Sequence, residues 1–150
     1  MNQETTDILL VEDNPNDALL AIRSLKDSKL ANAIVHLKDG QEAIDYLLRQ
    51  GPFSGRKGLL PKVILLDLKL PKVNGLEVLK VLRSNKETKI VPIVILTSSQ
   101  VESDLIESYQ LGANSYIVKP VDFENFSKSI REVGLYWLIL NKPPIVKGTS

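Results

Sequence analysis

The stretch VILLDLKLPKVNGLEVL, residues 63–79, contains a strand, a turn and the beginning of a helix in immediate succession. The run at residues 62–66 is near-continuous in Ile, Leu and Val, which is typical of a strand buried on both faces. Asp67 ends that run, and apolar residues then recur at helical spacing within residues 74–83. The stretch therefore predicts one strand–helix unit with an aspartate at the carboxyl end of the strand.

Four further aliphatic runs share this character, at residues 7–11, 33–37, 92–96 and 115–118. Segments with helical spacing follow them, at residues 15–29, 41–50, 101–111 and 122–138. Asn14 before Pro15 predicts a helix cap followed by proline at the first helical position. Five strands that alternate with five helices predict an α/β fold with a doubly wound parallel sheet. Ligands of such sheets bind beyond the carboxyl ends of the strands.

The composition is that of one ordinary domain, with 150 residues, 43% hydrophobic residues, a formal net charge of +1 and no cysteine. The near-neutral charge gives no electrostatic reason to expect a nucleic-acid or membrane partner. Without cysteine, disulfides, thiol catalysis and zinc–thiolate sites are excluded. Residues 1–6 are unlike a signal peptide, and no apolar run approaches the ~20 residues of a membrane span. We expect one cytoplasmic domain over residues 1–150, with a core at about 6–140 and an irregular tail at 141–150.

Two features lie outside the strand–helix pattern. Residues 51–61 (GPFSGRKGLLP) form a long loop before the third strand. Such loops are often functional, so a role in partner contact stands beside a tolerated surface insertion. His36, the only histidine, lies in the second strand. We expect it to be structural, rather than a site of phosphotransfer, and to lie away from the acidic crevice formed at the ends of the other strands.

Four of the predicted strands end in residues with chemically useful side chains. Glu12 and Asp13 follow the first strand, Asp67 the third, Thr97 the fourth and Lys119 the fifth. A parallel sheet brings these ends to one edge, so three carboxylates, a hydroxyl and an ammonium should share one crevice. A single aspartate at a strand end is more often a turn or cap residue. The joint occurrence at four strand ends therefore indicates a site.

The residue types in this crevice predict a metal and a phosphoryl group. Neighbouring carboxylates repel one another unless a cation intervenes, and Mg²⁺ binds carboxylates, carbonyls, waters and phosphate oxygens. An aspartate can also act as a nucleophile and carry a phosphoryl group. We predict that Glu12 and Asp13 place Mg²⁺ and that Asp67 attacks the phosphorus. Lys119 and Thr97 would stabilise phosphoryl oxygens.

The chain resembles the receiver domains of bacterial and archaeal two-component systems. The matching motifs, in the expected order, are ILLVEDNPND at 8–17, VILLDLKLPKVNGLEVL at 63–79, VPIVILTSS at 91–99 and LGANSYIVKPVD at 111–122. The resemblance implies a flavodoxin-like receiver fold with strand order 2-1-3-4-5. It also implies Mg²⁺-dependent transfer of a phosphoryl group from a histidine kinase to Asp67. Such a protein is a phosphoacceptor switch and catalyses only its own phosphorylation and dephosphorylation.

The resemblance assigns further roles, residue by residue. Asp67 also falls among the metal ligands, and Lys69 falls where the backbone carbonyl ligates the metal. Thr97 and Tyr116 fall on the two switch positions, and the bond before Pro120 is cis in the family. Many receivers have a small polar residue or methionine where Lys69 stands. The lysine predicts an altered lifetime of the acyl phosphate, in a direction that the sequence leaves open.

Within the family, the chain looks like the stand-alone receivers that accompany phytochrome-type kinases in bacteria. The loop GPFSGRKGLLPK and the ending GLYWLILNKPP carry this likeness. The partners implied are a sensor histidine kinase, with a bacteriophytochrome as one candidate, and a second copy of the chain. The last helix and the fifth strand would form that homodimer. A signal would leave by protein contact, because we expect no DNA-binding domain.

Three rival classes are weighed against the receiver. A haloacid-dehalogenase-type phosphohydrolase needs a carboxylate two residues after its nucleophile, where Lys69 stands instead. A flavodoxin-like cofactor carrier needs a phosphate-binding loop after the first strand, and EDNPND would repel phosphate there. A nucleotide-binding GxxxxGK[ST] motif is absent.

Overall fold

A computed structural model describes residues 7–27, 33–58, 60–98 and 101–118. These residues contain a five-stranded parallel sheet with the order β2-β1-β3-β4-β5. The strands are β1 (Ile8–Val11), β2 (Ile34–Leu37), β3 (Val63–Leu66), β4 (Ile93–Thr97) and β5 (Ser115–Val118). The predicted parallel sheet and its strand order are therefore confirmed.

Four α-helices lie within the described residues: α1 (Pro15–Asp27), α2 (Gly40–Leu48), α3 (Gly75–Ser84) and α4 (Glu102–Gln110). The predicted cap of α1 is confirmed, because Asn14 Oδ1 accepts hydrogen bonds from the N–H groups of Asn16 and Asp17 at 2.9 and 3.0 Å. In the described segments, no helix combines the length and hydrophobicity needed to cross a membrane. The predicted fifth helix at 122–138 and the tail at 141–150 lie outside the described residues.

The core lies on both faces of the sheet, because alternate residues of each strand point to opposite sides. Leu9 and Val11 of β1 join a cluster that includes residues of α2 and α3, whereas Ile8 and Leu10 join a cluster with α1. All four are at most 1% exposed. Burial on both faces explains why β1 and β3 are continuously aliphatic rather than alternating. It also keeps the strand ends, which carry the polar residues, on a rigid support.

The predicted loop at residues 51–61 begins with a short element of regular structure and contacts α2. Gly51–Phe53 forms one turn of 3-10 helix. The Phe53 ring meets the Tyr46 ring edge-on, with centroids 5.2 Å apart, and the Arg56 guanidinium lies 4.1 Å from the centre of the Tyr46 ring. Arg49 Nη2 donates to the Gly58 carbonyl at 2.6 Å. These contacts fold the loop back onto α2.

Arg83 joins three segments near the amino ends of β4 and β5, opposite the carboxyl ends that carry the acidic residues. Its guanidinium donates to the carbonyls of Gly112, Lys89 and Val91 at 2.9, 3.0 and 2.7 Å, and to Asn114 Oδ1 at 2.9 Å. Burial lowers the pKa of this guanidinium. Arginine nevertheless stays protonated at neutral pH. The side chain therefore ties the end of α3 to the start of β4 and to the α4–β5 turn.

Replacing Arg83 by methionine should lower the free energy of unfolding by about 2–4 kcal/mol, because the carbonyls of Gly112 and Val91, both in partly buried hydrogen bonds, lose a charged donor. Urea unfolding followed by circular dichroism measures this change. Lys80→Met, at an exposed position of the same helix, is the control and should change stability by no more than about 0.5 kcal/mol. Equal unfolding midpoints for the two variants would contradict a structural role of Arg83.

Candidate functional site

The carboxylates of Glu12, Asp13 and Asp67 meet at the carboxyl edge of the sheet. One ligand oxygen from each lies within 4.8 Å of the others. The register explains the meeting, because Val11 of β1 pairs with Leu66 of β3 and the next residue of each strand enters the site. Glu12 is 1% exposed and Asp67 is 6% exposed, whereas Asp13 faces solvent. The structure thus brings together the three carboxylates that the strand ends predicted.

Glu12 is held by β2 and by the turn that follows β1. Its backbone N–H donates to the Leu37 carbonyl at 3.0 Å, and its Oε2 accepts from the N–H of Asn14 at 3.0 Å. His36 Nε2 lies 2.7 Å from the Glu12 carbonyl oxygen. The prediction that His36 lies away from the acidic crevice was therefore wrong. The ring reaches across from the neighbouring strand, a contact that position in the sequence does not reveal.

Asp67 is held in place by the segment that follows it and by the first residue of α3. The N–H of Lys69 donates to Asp67 Oδ1 at 3.3 Å, and the N–H of Gly75 donates to the Leu68 carbonyl at 2.7 Å. A Cβ atom on Gly75 would collide with the Asp67 carbonyl oxygen and would lie 2.6 Å from the Leu68 Cα. Only glycine allows this approach. The pair Asn74-Gly75 marks the start of a helix in the sequence, but the sequence does not show that Gly75 packs against Asp67.

The first turn of α2 packs against the segment between β3 and α3. Gly40 N–H donates to the Pro71 carbonyl at 3.3 Å, and a Cβ on Gly40 would collide with the Val73 carbonyl oxygen. Lys72 in this segment has a φ of +67°, which is uncommon for a residue with a side chain. Its Nζ lies 3.7 Å from Asp39 Oδ2. Sequence reasoning missed this contact between α2 and the segment that begins at Asp67.

Of the other predicted site residues, three lie within the described part of the chain and two lie outside it. Thr97 ends β4 and is fully buried, and Tyr116 of β5 is half-buried and packs against the core cluster with α2 and α3. Lys69 has an exposed side chain. Lys119 and Pro120 lie outside the described residues, so the predicted phosphoryl-stabilising ammonium and cis bond stay predictions.

The three carboxylates fit a divalent cation. Two unit charges about 4 Å apart repel by roughly 4 kcal/mol at the effective dielectric constant of a protein site. A cation removes this repulsion, and an all-oxygen ligand set favours Mg²⁺ or Mn²⁺ over zinc and copper. His36 does not change that preference, because its Nε2 faces a carbonyl oxygen. Glu12, Asp13 and Asp67 could hold the ion.

Comparisons with known proteins identify the family. The family described as response regulator receiver domain matches residues 8–131. The protein named "Probable methanogenesis regulatory protein FilR2" of Methanothrix harundinacea (strain 6Ac) is 41% identical over 138 residues, which are 91% of this chain and 86% of the relative. The response regulator Rcp1 of Synechocystis sp. is 38% identical over 131 residues, which are 87% of this chain and 88% of the relative.

Solved structures agree in fold and in sequence. The phosphorylated cyanobacterial phytochrome response regulator RcpA matches with a TM-score of 0.84 and 34% identity, covering 95% of this chain and 100% of that one. The Mn²⁺-bound form of Rcp1 matches with a TM-score of 0.82 and 37% identity, over 92% and 98% of the two chains. The bacteriophytochrome response regulator RtBRR matches with a TM-score of 0.77 and 51% identity, over 94% and 85%.

The likeness to phytochrome response regulators, first suggested by sequence motifs, is thus confirmed by RcpA and RtBRR. The family's members are phosphoacceptor switches of two-component systems rather than conventional enzymes. With the receiver strand order, the acidic cluster at the carboxyl edge and a match over residues 8–131, the chain belongs to the response regulator receiver domain family.

Proposed function

We propose that Asp67 accepts a phosphoryl group from the phosphohistidine of a sensor histidine kinase, in a reaction that requires Mg²⁺. The observation that carries the proposal is the position of Asp67, which is 6% exposed and lies in one cluster with Glu12 and Asp13. A buried carboxylate beside two others has no use in packing, since burial of like charges costs free energy. A bound cation accounts for the three neighbouring carboxylates, and nucleophilic attack accounts for the place of Asp67 among them.

In the proposed transfer, a carboxylate oxygen of Asp67 bonds to the phosphorus while the P–N bond to the histidine breaks. The electron pair of that bond returns to the imidazole, and the product on this chain is an acyl phosphate. Mg²⁺, when bound, supplies positive charge that offsets the carboxylates and the phosphoryl oxygens. Glu12, Asp13, Asp67 and the Lys69 carbonyl would hold it. Lys119 and Thr97 would stabilise the phosphoryl oxygens.

The phosphoryl group would act as a switch through Thr97 and Tyr116. Thr97 is fully buried at the end of β4, and the next strand carries Tyr116 opposite Ile95. A new anion at Asp67 would attract the Thr97 hydroxyl and free space for the Tyr116 ring. The surface formed by α4 and β5 would then change. The α4 helix exposes Ile106 and Tyr109, by 48% and 47%, which suits a surface that contacts another protein.

We propose a phytochrome-type histidine kinase as the partner. The support is the 51% identity to the bacteriophytochrome response regulator RtBRR and the 34% identity to the cyanobacterial phytochrome response regulator RcpA. FilR2, at 41% identity, has a name that refers to methanogenesis, so similarity alone does not select one stimulus. We further propose that residues 1–150 act as a single receiver in the cytoplasm.

Acetyl phosphate with Mg²⁺ should add one phosphoryl group to this protein, and Asp67→Asn should abolish the labelling because an amide is a poor nucleophile. Intact-mass spectrometry measures the product. Asp45→Asn on α2, outside the acidic cluster, is the matched control and should label normally. Stable labelling of Asp67→Asn at another residue would refute the assignment of Asp67.

Asp13→Ala should weaken Mg²⁺ binding by at least about 10-fold, because a carboxylate ligand is lost. Isothermal titration in the absence of a phosphodonor measures the affinity directly. The Asp45→Asn variant again serves as the control, since it keeps the cluster of Glu12, Asp13 and Asp67. An affinity equal to that of the unmodified chain would remove Asp13 from the metal site.

Phosphorylation should drive homodimerisation if the α4–β5 surface and the last helix form the interface. Sedimentation velocity with Mg²⁺ and beryllofluoride, which mimics the phosphoryl group, should show a dimer that is absent without beryllofluoride. Asp67→Asn should stay monomeric under both conditions. A monomer of the unmodified chain under both conditions would contradict phosphorylation-dependent assembly.

A further inference from the structure

His36 contacts the backbone of the acidic cluster although its strand contributes no ligand. Its Nε2 lies 2.7 Å from the Glu12 carbonyl oxygen, and the ring is half-buried. A carbonyl oxygen can only accept a hydrogen bond, so Nε2 must carry the hydrogen. The β1–β2 ladder pairs its last residues at Val11 and Leu37. The imidazole thus supplies a side-chain donor one residue beyond the paired positions.

The accepting carbonyl belongs to the peptide group that joins Glu12 to Asp13, the two proposed metal ligands. Because a peptide group is planar, a hydrogen bond to its oxygen restricts ψ of Glu12 and φ of Asp13 together. The other side of Glu12 is held as well, since its N–H donates to the Leu37 carbonyl at 3.0 Å. The β2 strand therefore restrains the backbone on both sides of Glu12.

The restraint matters most for Asp13. The Glu12 carboxylate has its own local hydrogen bond, from the N–H of Asn14 to Oε2 at 3.0 Å. Asp13 is exposed, so packing does not select the direction of its side chain. Its direction therefore depends on the backbone that carries it. Groups that orient metal ligands without touching the metal commonly change affinity by 10–100-fold when they are removed.

We propose that His36 is a positioning residue for the metal site: its Nε2–H group holds the Glu12–Asp13 peptide so that both carboxylates face the cation. This inference rests on the proposed function, because it assumes that the cluster binds a divalent cation. His36 does not touch the metal or the phosphoryl group. It lowers the conformational freedom that the two ligands would lose when the cation binds.

The test compares the metal affinity of His36→Phe and His36→Gln with that of the unmodified chain. Affinity for Mn²⁺ is measured by the loss of the free-ion electron paramagnetic resonance signal, without any phosphodonor. His36→Phe keeps a ring but has no donor, and it should weaken binding by about 10-fold. His36→Gln retains an N–H donor at a similar reach and should recover most of the loss. In acetyl phosphate labelling, His36→Phe should need more Mg²⁺ for half-maximal rate but reach the same rate at saturation.

Thr88→Val is the matched control for lost stability. Thr88 is fully buried, and its hydroxyl donates to the Leu82 carbonyl at 2.7 Å, at the C-terminal end of α3. It should lose stability but bind Mn²⁺ like the unmodified chain. Circular dichroism verifies that each variant is folded during the titration. If His36→Phe does not fold, His36→Gln is compared with His36→Asn, whose shorter side chain cannot reach the carbonyl.

The outcomes distinguish failure of the proposed function from failure of the proposed role of His36. If the unmodified chain binds no Mn²⁺, the proposed function fails and the role of His36 fails with it. If the unmodified chain binds Mn²⁺ and His36→Phe, or His36→Asn in its place, binds equally well, only the role of His36 is refuted. If Thr88→Val weakens binding as much as His36→Phe does, the effect reflects general destabilisation, and the positioning role is also refuted.

Discussion

Electrostatic repulsion among Glu12, Asp13 and Asp67 is the constraint on which the rest of the site depends. The fold holds one oxygen of each within 4.8 Å of the others, and two of the three side chains are buried. Left to themselves, such charges would move apart. They stay together because the strands that carry Glu12 and Asp67 are hydrogen-bonded neighbours buried on both faces of the sheet. A cation that binds there also stabilises the folded chain.

The backbone around the cluster is restrained from several directions. Gly75 lets α3 approach Asp67 from behind, and Gly40 lets α2 approach the segment that follows. At the end of β1, the N–H of Asn14 donates to the Glu12 side chain, and the ring of His36 in β2 donates to the Glu12 backbone carbonyl. These contacts leave few conformations to the residues between strand and helix. A site arranged in advance loses less conformational entropy when its ligand binds.

The amino ends and the carboxyl ends of the strands have different roles. At the edge opposite the carboxylates, Arg83 joins the end of α3 to the α4–β5 turn through carbonyl groups and Asn114. Asn114 Oδ1 also accepts from the N–H of Ile93, so the start of β4 is tied to the same turn. These hydrogen bonds hold the amino ends of β4 and β5 in place. Buried Thr97 lies at the carboxyl end of β4, where a phosphoryl group on Asp67 would act.

The sequence alone determined the sheet, the four described α-helices and the meeting of Glu12, Asp13 and Asp67. Aliphatic runs define the strands, and a parallel sheet brings their carboxyl ends together. Only the tertiary structure decided what restrains these residues. The reach of the His36 ring to Glu12 and the close approach of Gly40 to Val73 involve residues far apart in the chain. Such contacts follow no periodicity, because they depend on the distances between packed elements rather than on the pattern within one.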